Sequence, residues 1–311
     1  MTHYTSEPGE ASVYVPDIEL HEAATLEEAV AATGRYGSDA RLLAGGTDLL
    51  VDLKTSRIRI SHVVSLRRIE GLRGVSETDG TLRIGALTTI TQLGGSSIVR
   101  ERFAPLLDAT GQMAAPQIRN VATVGGNIAS AVPCADLPPI LGALGAAVTL
   151  WSRAGEREVP LDKFFVGPRR TIRRDDEVLT AVLVPRPPRG FGAAYARFAL
   201  REGNAIAVAA VAAALYLDQE DHISEARIVL GAVAPIPRLV EEAAAELRGR
   251  APDEGAFDRA AEAARRAAEP ISDVRGSAEF RRELIAVLTR RALATACHRA
   301  KEAQAWPSHA R

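Results

Sequence analysis

Cysteine is almost absent: Cys134 and Cys297 are the only two in 311 residues. Two thiols cannot hold an iron–sulfur cluster, and they imply no disulfide framework. The six histidines are scattered with no His-x3-His pair, so no metal site is expected within the chain. Neither usual nucleotide signature, G-x-G-x-x-G or G-x-x-x-x-G-K-[ST], occurs. Long apolar runs are also missing. The longest, Ala205 to Leu217, is too short to span a bilayer, and the N-terminus has no stretch of signal-peptide type. A cytoplasmic protein without an integral membrane segment is expected. Charge of one sign is missing as well, since 38 Lys+Arg face 39 Asp+Glu for a net −1. Nucleic acid and anionic membranes want a basic face, so neither is expected as the main partner. Arg169, Arg170, Arg173 and Arg174 form a local basic stretch that reads as a solvated loop or a small basic patch.

What is present is glycine in pairs. Ala44-Gly45-Gly46-Thr47-Asp48-Leu49 and Thr123-Val124-Gly125-Gly126-Asn127 each join two glycines to a hydroxyl and a small acidic or amide side chain. Adjacent glycines let the backbone turn sharply and let a ligand approach its N–H groups. The pair therefore reads either as a diphosphate grip or as two tight strand-to-helix turns. Hydrophobic residues at 47% are enough for a real core, and the length allows one large or two ordinary domains.

Thr25 followed by Glu27 and Glu28 marks the start of a helix ending near Gly34. Strands are expected at Arg41–Ala44, His62–Leu66, Thr81–Ala86, Ala147–Trp151 and Glu177–Val184, and helices from Thr88 and over Pro105–Ala114. Asp136 before Leu137-Pro138-Pro139 is placed to cap a helix. The stretch Pro185 to Gly190 is the best linker. Beyond it, Ala205–Leu217 and Arg227–Gly231 across a polar turn read as a buried hairpin in preference to a core helix. Residues 237–268 have helical spacing, and Ala278–Lys301 reads as a closing helix. The second unit is thus a small antiparallel sheet backed by helices.

Five segments in order carry a resemblance. They are A-G-G-T-D-L-L from Ala44, I-R-N-x-A-T-V-G-G-N-I from Ile118 with A-x-P-x-x-D-L-P-P from Ala131, Phe164 to Thr171, Tyr195 to Arg201, and Gly231 to Pro237. The chain resembles the FAD-binding medium subunits of the xanthine dehydrogenase family of molybdenum hydroxylases, the carbon monoxide dehydrogenase medium subunits included. The resemblance implies an α+β chain. A FAD-binding domain of the vanillyl-alcohol oxidase/PCMH type, made of two α/β subdomains, would span 13–188. A C-terminal domain of the CO dehydrogenase flavoprotein type would span 189–303, with loose ends at 1–12 and 304–311.

It further implies that Leu42, Leu43, Ala44, Gly45, Gly46, Thr47, Asp48 and Leu49 wrap the FAD diphosphate. Thr123, Val124, Gly125, Gly126 and Asn127 would oppose them. Asp136 would touch the cofactor, or cap its helix, or both. Leu179 would approach the adenine or ring end through its backbone, and Met113 would lie against the flavin. Tyr195 and Arg197 would stand near the ring, Tyr195 alternatively being a core tyrosine. Arg197 and Arg170 replace frequent lysines, and Asn204 replaces a common Asp with loss of its charge.

No catalytic residue or bound metal is implied in this chain. The implied function is electron transfer. A large molybdenum subunit would oxidise an N-heterocycle, purine or aldehyde. A small subunit with 2Fe–2S clusters would carry electrons to FAD here, for NAD, a quinone or oxygen, in a dimer of heterotrimers. Carbon monoxide is ranked low, because its enzymes carry a different pattern in both loops. The alternatives are a stand-alone flavin oxidoreductase, with His62 or Cys134 as a tether, and a non-catalytic assembly subunit.

Overall fold

A computed structural model describes residues 17–305. The loose end expected at 1–12, and that expected beyond 305, lie outside them. Strands β1 (Glu19–Glu22), β2 (Ala40–Leu43) and β3 (His62–Ser65) form a parallel sheet in the order β1-β3-β2. Parallel neighbours need crossovers. The helices Leu26–Tyr36 and Leu49–Lys54 provide them. Thr25 caps the first as its sequence predicts, its Oγ1 accepting from Glu28 N at 3.1 Å. The helix runs past Gly34 and stops at Gly37, whose φ of 54° closes the end. A glycine inside a helix costs only about 1 kcal/mol, too little to end it alone. Strand β1 escapes sequence reading because Glu-Leu-His-Glu is short, polar and almost wholly exposed.

The second layer holds β4 (Val75–Thr78), β5 (Thr81–Gly85), β6 (Ala147–Ser152) and β7 (Gly155–Pro160). The hairpin β8 (Phe165–Gly167) and β9 (Arg170–Thr171) precedes β10 (Val178–Pro185). The large sheet runs β4-β5-β10-β6-β7 with every neighbour antiparallel. Between β5 and β6 the chain inserts short helices, from Ile90–Gly95 to Leu137–Ala143. Phe103, Leu106, Ile128, Leu137 and Ile140 of this insertion share one core with Leu82, Ile84, Val148 and Val182 of the sheet.

The third layer is the antiparallel sheet β11 (Phe191–Phe198), β12 (Ala209–Leu217), β13 (Ile223–Gly231) and β14 (Arg238–Leu239). The hairpin reading of the alanine-rich run holds. Asp218 closes its turn by accepting from Glu220 N and His222 N at 2.9 and 2.8 Å. Strand β12 is buried on both faces, and its period of two divides it between two cores. Ala210, Ala212 and Ala214 join the core of the second layer, while Val211, Ala213 and Leu215 face the C-terminal helices. Of residues 237–268, expected to be helical, Arg238–Leu239 instead form β14, and two helices follow, Glu241–Ala245 and Glu254–Ala267. The closing helix Ala278–Ala305 lays Ala292, Ala296 and Ala300 in that C-terminal core. Near its end Gln304 Nε2 donates to the carbonyls of Leu217 and Asp218 at 3.3 and 2.8 Å.

One fork ties the closing helix to the first domain. Arg299 donates to both oxygens of Asp108, at 2.7 and 2.9 Å, and to Ala193 O at 2.7 Å. Asp108 also accepts from Tyr195 N at 3.1 Å, so the fork fixes where β11 enters the interface. Lysine would keep the charge and lose the planar fork. Arg299→Lys is expected to destabilise the chain by about 1–2 kcal/mol, read as a lower urea midpoint.

Candidate functional site

The first glycine loop leaves the end of β2 and enters the helix Leu49–Lys54. Leu42 belongs to one small core, and Leu43 and Leu49 to another, so apolar residues anchor the loop at both ends. Gly46 sits at φ +83°, a conformation that favours glycine. Among the described residues the N–H groups of Gly45, Gly46, Thr47 and Asp48 donate to nothing. Asp48 stands at the N-cap position but makes no cap bond, so its carboxylate is uncommitted. The loop's carbonyls are held instead. Arg67, just past β3, donates to Ala44 O at 3.2 Å and Gly45 O at 3.3 Å. Sequence reading missed Arg67. Its one signal was its position just past the strand that pairs with β2.

The second loop is built differently. Thr123 caps the helix Val124–Ala129. Its Oγ1 accepts from Gly126 N at 3.0 Å and its carbonyl from Asn127 N at 2.9 Å. Val124 N donates to Thr88 O and Gly125 N to Ala86 O, at 2.9 and 2.8 Å. These four N–H groups are spent on the protein, contrary to the reading that both glycine pairs free their N–H groups for a ligand. Gly125 is required for close packing, because a Cβ there would lie 2.6 Å from Ala86 Cβ. The loop offers side chains. The Thr123 hydroxyl proton is available, and Asn127 Oδ1 is buried with no hydrogen-bond partner among the described residues.

The two loops meet. A Cβ on Gly45 would stand 2.1 Å from Val121 O, and one on Gly126 would stand 3.8 Å from Ala44 Cβ. The donors of one loop and the side-chain groups of the other therefore sit side by side.

Beyond the second loop lies a buried polar cluster. Tyr195 OH and Arg197 Nη1 both donate to Asp136 Oδ1, at 2.8 and 3.0 Å. Asp136 does not cap its helix; its carboxylate is turned to these two groups instead. Arg197 also donates to Ala205 O at 3.2 Å and to Gln112 O. Met113 follows Gln112 at the helix end and is buried in the main core. Leu179 lies beside Thr180, whose carbonyl accepts from Ala86 N at 2.9 Å, so it stands behind the second loop. Leu179 shares the main core with Tyr195 of the Asp136 cluster and with Met113. Asn204 adopts φ +46° and donates its N–H to Ala114 O at 3.2 Å. A left-handed backbone is tolerated by Asn, so this position works through its main chain.

Burial pushes the Asp136 carboxyl up, against the opposing pull of Arg197 and the Tyr195 hydroxyl. The same burial, with the Asp136 charge beside it, holds the Tyr195 hydroxyl well above its ordinary range. Burial also raises the Cys134 thiol, with the charges of Asp136 and Asp48 adding to it, which makes it a poor nucleophile and a poor flavin tether. His62 fails as a tether for another reason: it pairs with Ala40, at the end of β2 away from the loop. For Asp136 the folded chain binds more protons than the unfolded one above the ordinary carboxylate range. Its contribution to stability is therefore present below that range and lost as pH rises through its raised folded value. Asp136→Asn is expected to remove that falling limb, measured as the difference from wild type in urea midpoints across acidic to neutral pH.

An open hollow lined by Glu77, Glu101, Arg102 and Arg186 is a different feature. Within it Glu77 meets Arg102 at 2.6 Å and Arg186 at 3.8 Å.

Residues 16–187 match the family described as the FAD binding domain in molybdopterin dehydrogenase, and residues 193–296 match the CO dehydrogenase flavoprotein C-terminal domain. The chain is 36% identical over 278 residues to the carbon monoxide dehydrogenase medium chain of Hydrogenophaga pseudoflava, covering 89% of this chain and 96% of that one. It is 34% identical to the xanthine dehydrogenase FAD-binding subunit of Escherichia coli O157:H7, covering 89% and 94%. A solved structure of carbon monoxide dehydrogenase from Hydrogenophaga pseudoflava superimposes with a TM-score of 0.89 at 37% identity, over 92% of this chain and 99% of that one. No helix among the described residues is long and apolar enough to cross a membrane. With both domains matched in order, this chain belongs to the FAD-binding medium subunits of the molybdenum hydroxylase family.

Proposed function

We propose that this chain holds FAD across its two glycine loops as the electron-transfer subunit of a molybdenum hydroxylase. The observation that carries the reading is the juxtaposition of uncommitted N–H groups at Gly45–Asp48 with the partnerless buried oxygen of Asn127. A buried acceptor left unpaired costs about 1–3 kcal/mol, and a ligand donor would answer it. Leu42 to Leu49 would face the diphosphate with Thr123 and Asn127 opposite, and Val124, Gly125 and Gly126 would shape the turn behind them. Asp136 Oδ2 accepts no bond among the described residues and is the atom left for the cofactor. Tyr195 and Arg197 act as positioning residues, both holding Asp136, with Arg197 also holding the Gln112 carbonyl. Leu179 would close the site from β10.

When bound, FAD would supply the redox chemistry of a relay between 2Fe–2S clusters on a small partner and NAD, a quinone or oxygen. The protein's part is to bind and orient the ring and to keep charge and water arranged around it. A large molybdenum partner would oxidise an N-heterocycle, a purine or an aldehyde, in a cytoplasmic dimer of heterotrimers. Near-equal identity to chains linked to carbon monoxide and to xanthine supports leaving substrate choice to that partner. The test is reconstitution. Substrate should bleach the flavin only when both partner subunits are present; bleaching of the isolated chain by substrate would refute the relay.

A further inference from the structure

We propose that Glu19, His21 and His62 bind a divalent transition-metal ion, with Zn2+ as its probe, and that the ion staples edge strand β1 to β3. Spacing along the chain argues against any metal site here, since the two histidines are 41 residues apart. The fold reverses that. In the parallel register Glu19 lies opposite His62, and His21, two residues on, shares the face of Glu19.

The three donor groups approach one another, the carboxylate facing each ring with a different oxygen. His21 Nε2 stands 3.1 Å from His62 Nδ1. Glu19 Oε1 is 3.7 Å from His21 Nε2, and Glu19 Oε2 is 3.4 Å from His62 Nδ1. Two metal–ligand bonds of about 2.0–2.1 Å at a tetrahedral angle place their ligand atoms about 3.3–3.4 Å apart. The three separations straddle that value. Hydrogen bonding explains only the histidine pair, because the carboxylate stands beyond a good N–H···O distance from both rings. Taken one atom per residue, the donors lie within 4.8 Å of one another, a spread that a single cation would draw together.

The rings are also held in place. Tyr36 stacks on His62 with centroids 3.6 Å apart and on His21 at 4.9 Å. Tyr36 ends the helix between β1 and β2, so the site joins three elements. The histidine side chains are 22% and 18% exposed and Glu19 is 62% exposed, which leaves a fourth position open to water. Two imidazoles and one carboxylate suit Zn2+, Co2+, Ni2+ or Cu2+ over Mg2+ or Ca2+. The site lies at the end of the sheet away from the glycine loop, because Ala40 pairs with His62 while Leu43 pairs with Ser65. It is therefore independent of FAD.

Equilibrium dialysis of the FAD-loaded full chain against Zn2+ tests the site. Wild type should take up one equivalent and unfold at a higher temperature with Zn2+ than without. His21→Ala and His62→Ala should each weaken that binding by more than the ~10–100-fold that loss of an outer-shell partner costs, with flavin content unchanged. If wild type binds no more Zn2+ than the double histidine variant, the site is refuted. Should the histidine variants fail to fold, Co2+ decides the matter in wild type and in Glu19→Gln, an exposed change. A tetrahedral absorption band that weakens in Glu19→Gln supports the site. A band absent from wild type, or unaffected by the change, overturns it.

Discussion

Gly45→Ala is expected to strip the chain of tightly held FAD. The added Cβ would stand 2.1 Å from Val121 O and 3.0 Å from Ala122 Cα. Both are backbone atoms and cannot rotate away, so one loop must shift from the other. Overpacking of this kind costs about 1–3 kcal/mol. At the upper end, if the cost falls on the loop geometry that FAD needs, binding weakens roughly 140-fold. Gly34→Ala is the control, because nothing lies within 4 Å of its Cβ position and it sits inside a helix. That change should leave FAD binding intact and slightly raise stability. Fluorescence titration with FAD distinguishes the two. Equal affinity for both variants would show that the meeting of the loops is not what forms the site.

Asp136→Ala is expected to be the most destabilising single change in the polar cluster. The side chains of Arg197 and Asp136 are only 4% and 10% exposed. Removing the carboxylate leaves a buried guanidinium and the buried Tyr195 hydroxyl without their shared acceptor. Breaking a buried pair from one side costs about 3–5 kcal/mol. Urea denaturation should show that loss, and FAD content should fall with it. Asp136→Asn keeps an acceptor for Tyr195 and should lose less. If Asp136→Ala matched wild type in stability, the cluster would have to be solvated and the assignment of Asp136 as its centre would fail.

The legible parts of the sequence were those with strong local signals. Thr25 announced its helix, the polar turn at Asp218 announced the β12–β13 hairpin, and the Pro-rich break at 185–190 marked the passage from β10 to β11. The glycine loops were legible as a pair only through their order among flanking motifs. What stayed hidden depended on contacts across the fold. Nothing local to the loop says that the N–H groups of Val124 and Gly125 are consumed by Thr88 and Ala86. Arg67, Arg299 and Asp108 act on partners far along the chain, so their roles appear only when strands and helices meet. The His21–His62 approach was invisible for the same reason. It exists because β1, a strand too short and polar to be read, lies parallel to β3.

The most direct measurement is the flavin content of the purified full chain, taken from its visible spectrum and from the nucleotide released by acid. The expected result is a flavin spectrum with one FAD per chain, released intact as FAD. A colourless chain that takes up no FAD on incubation would contradict the reading of the two loops as one cofactor site.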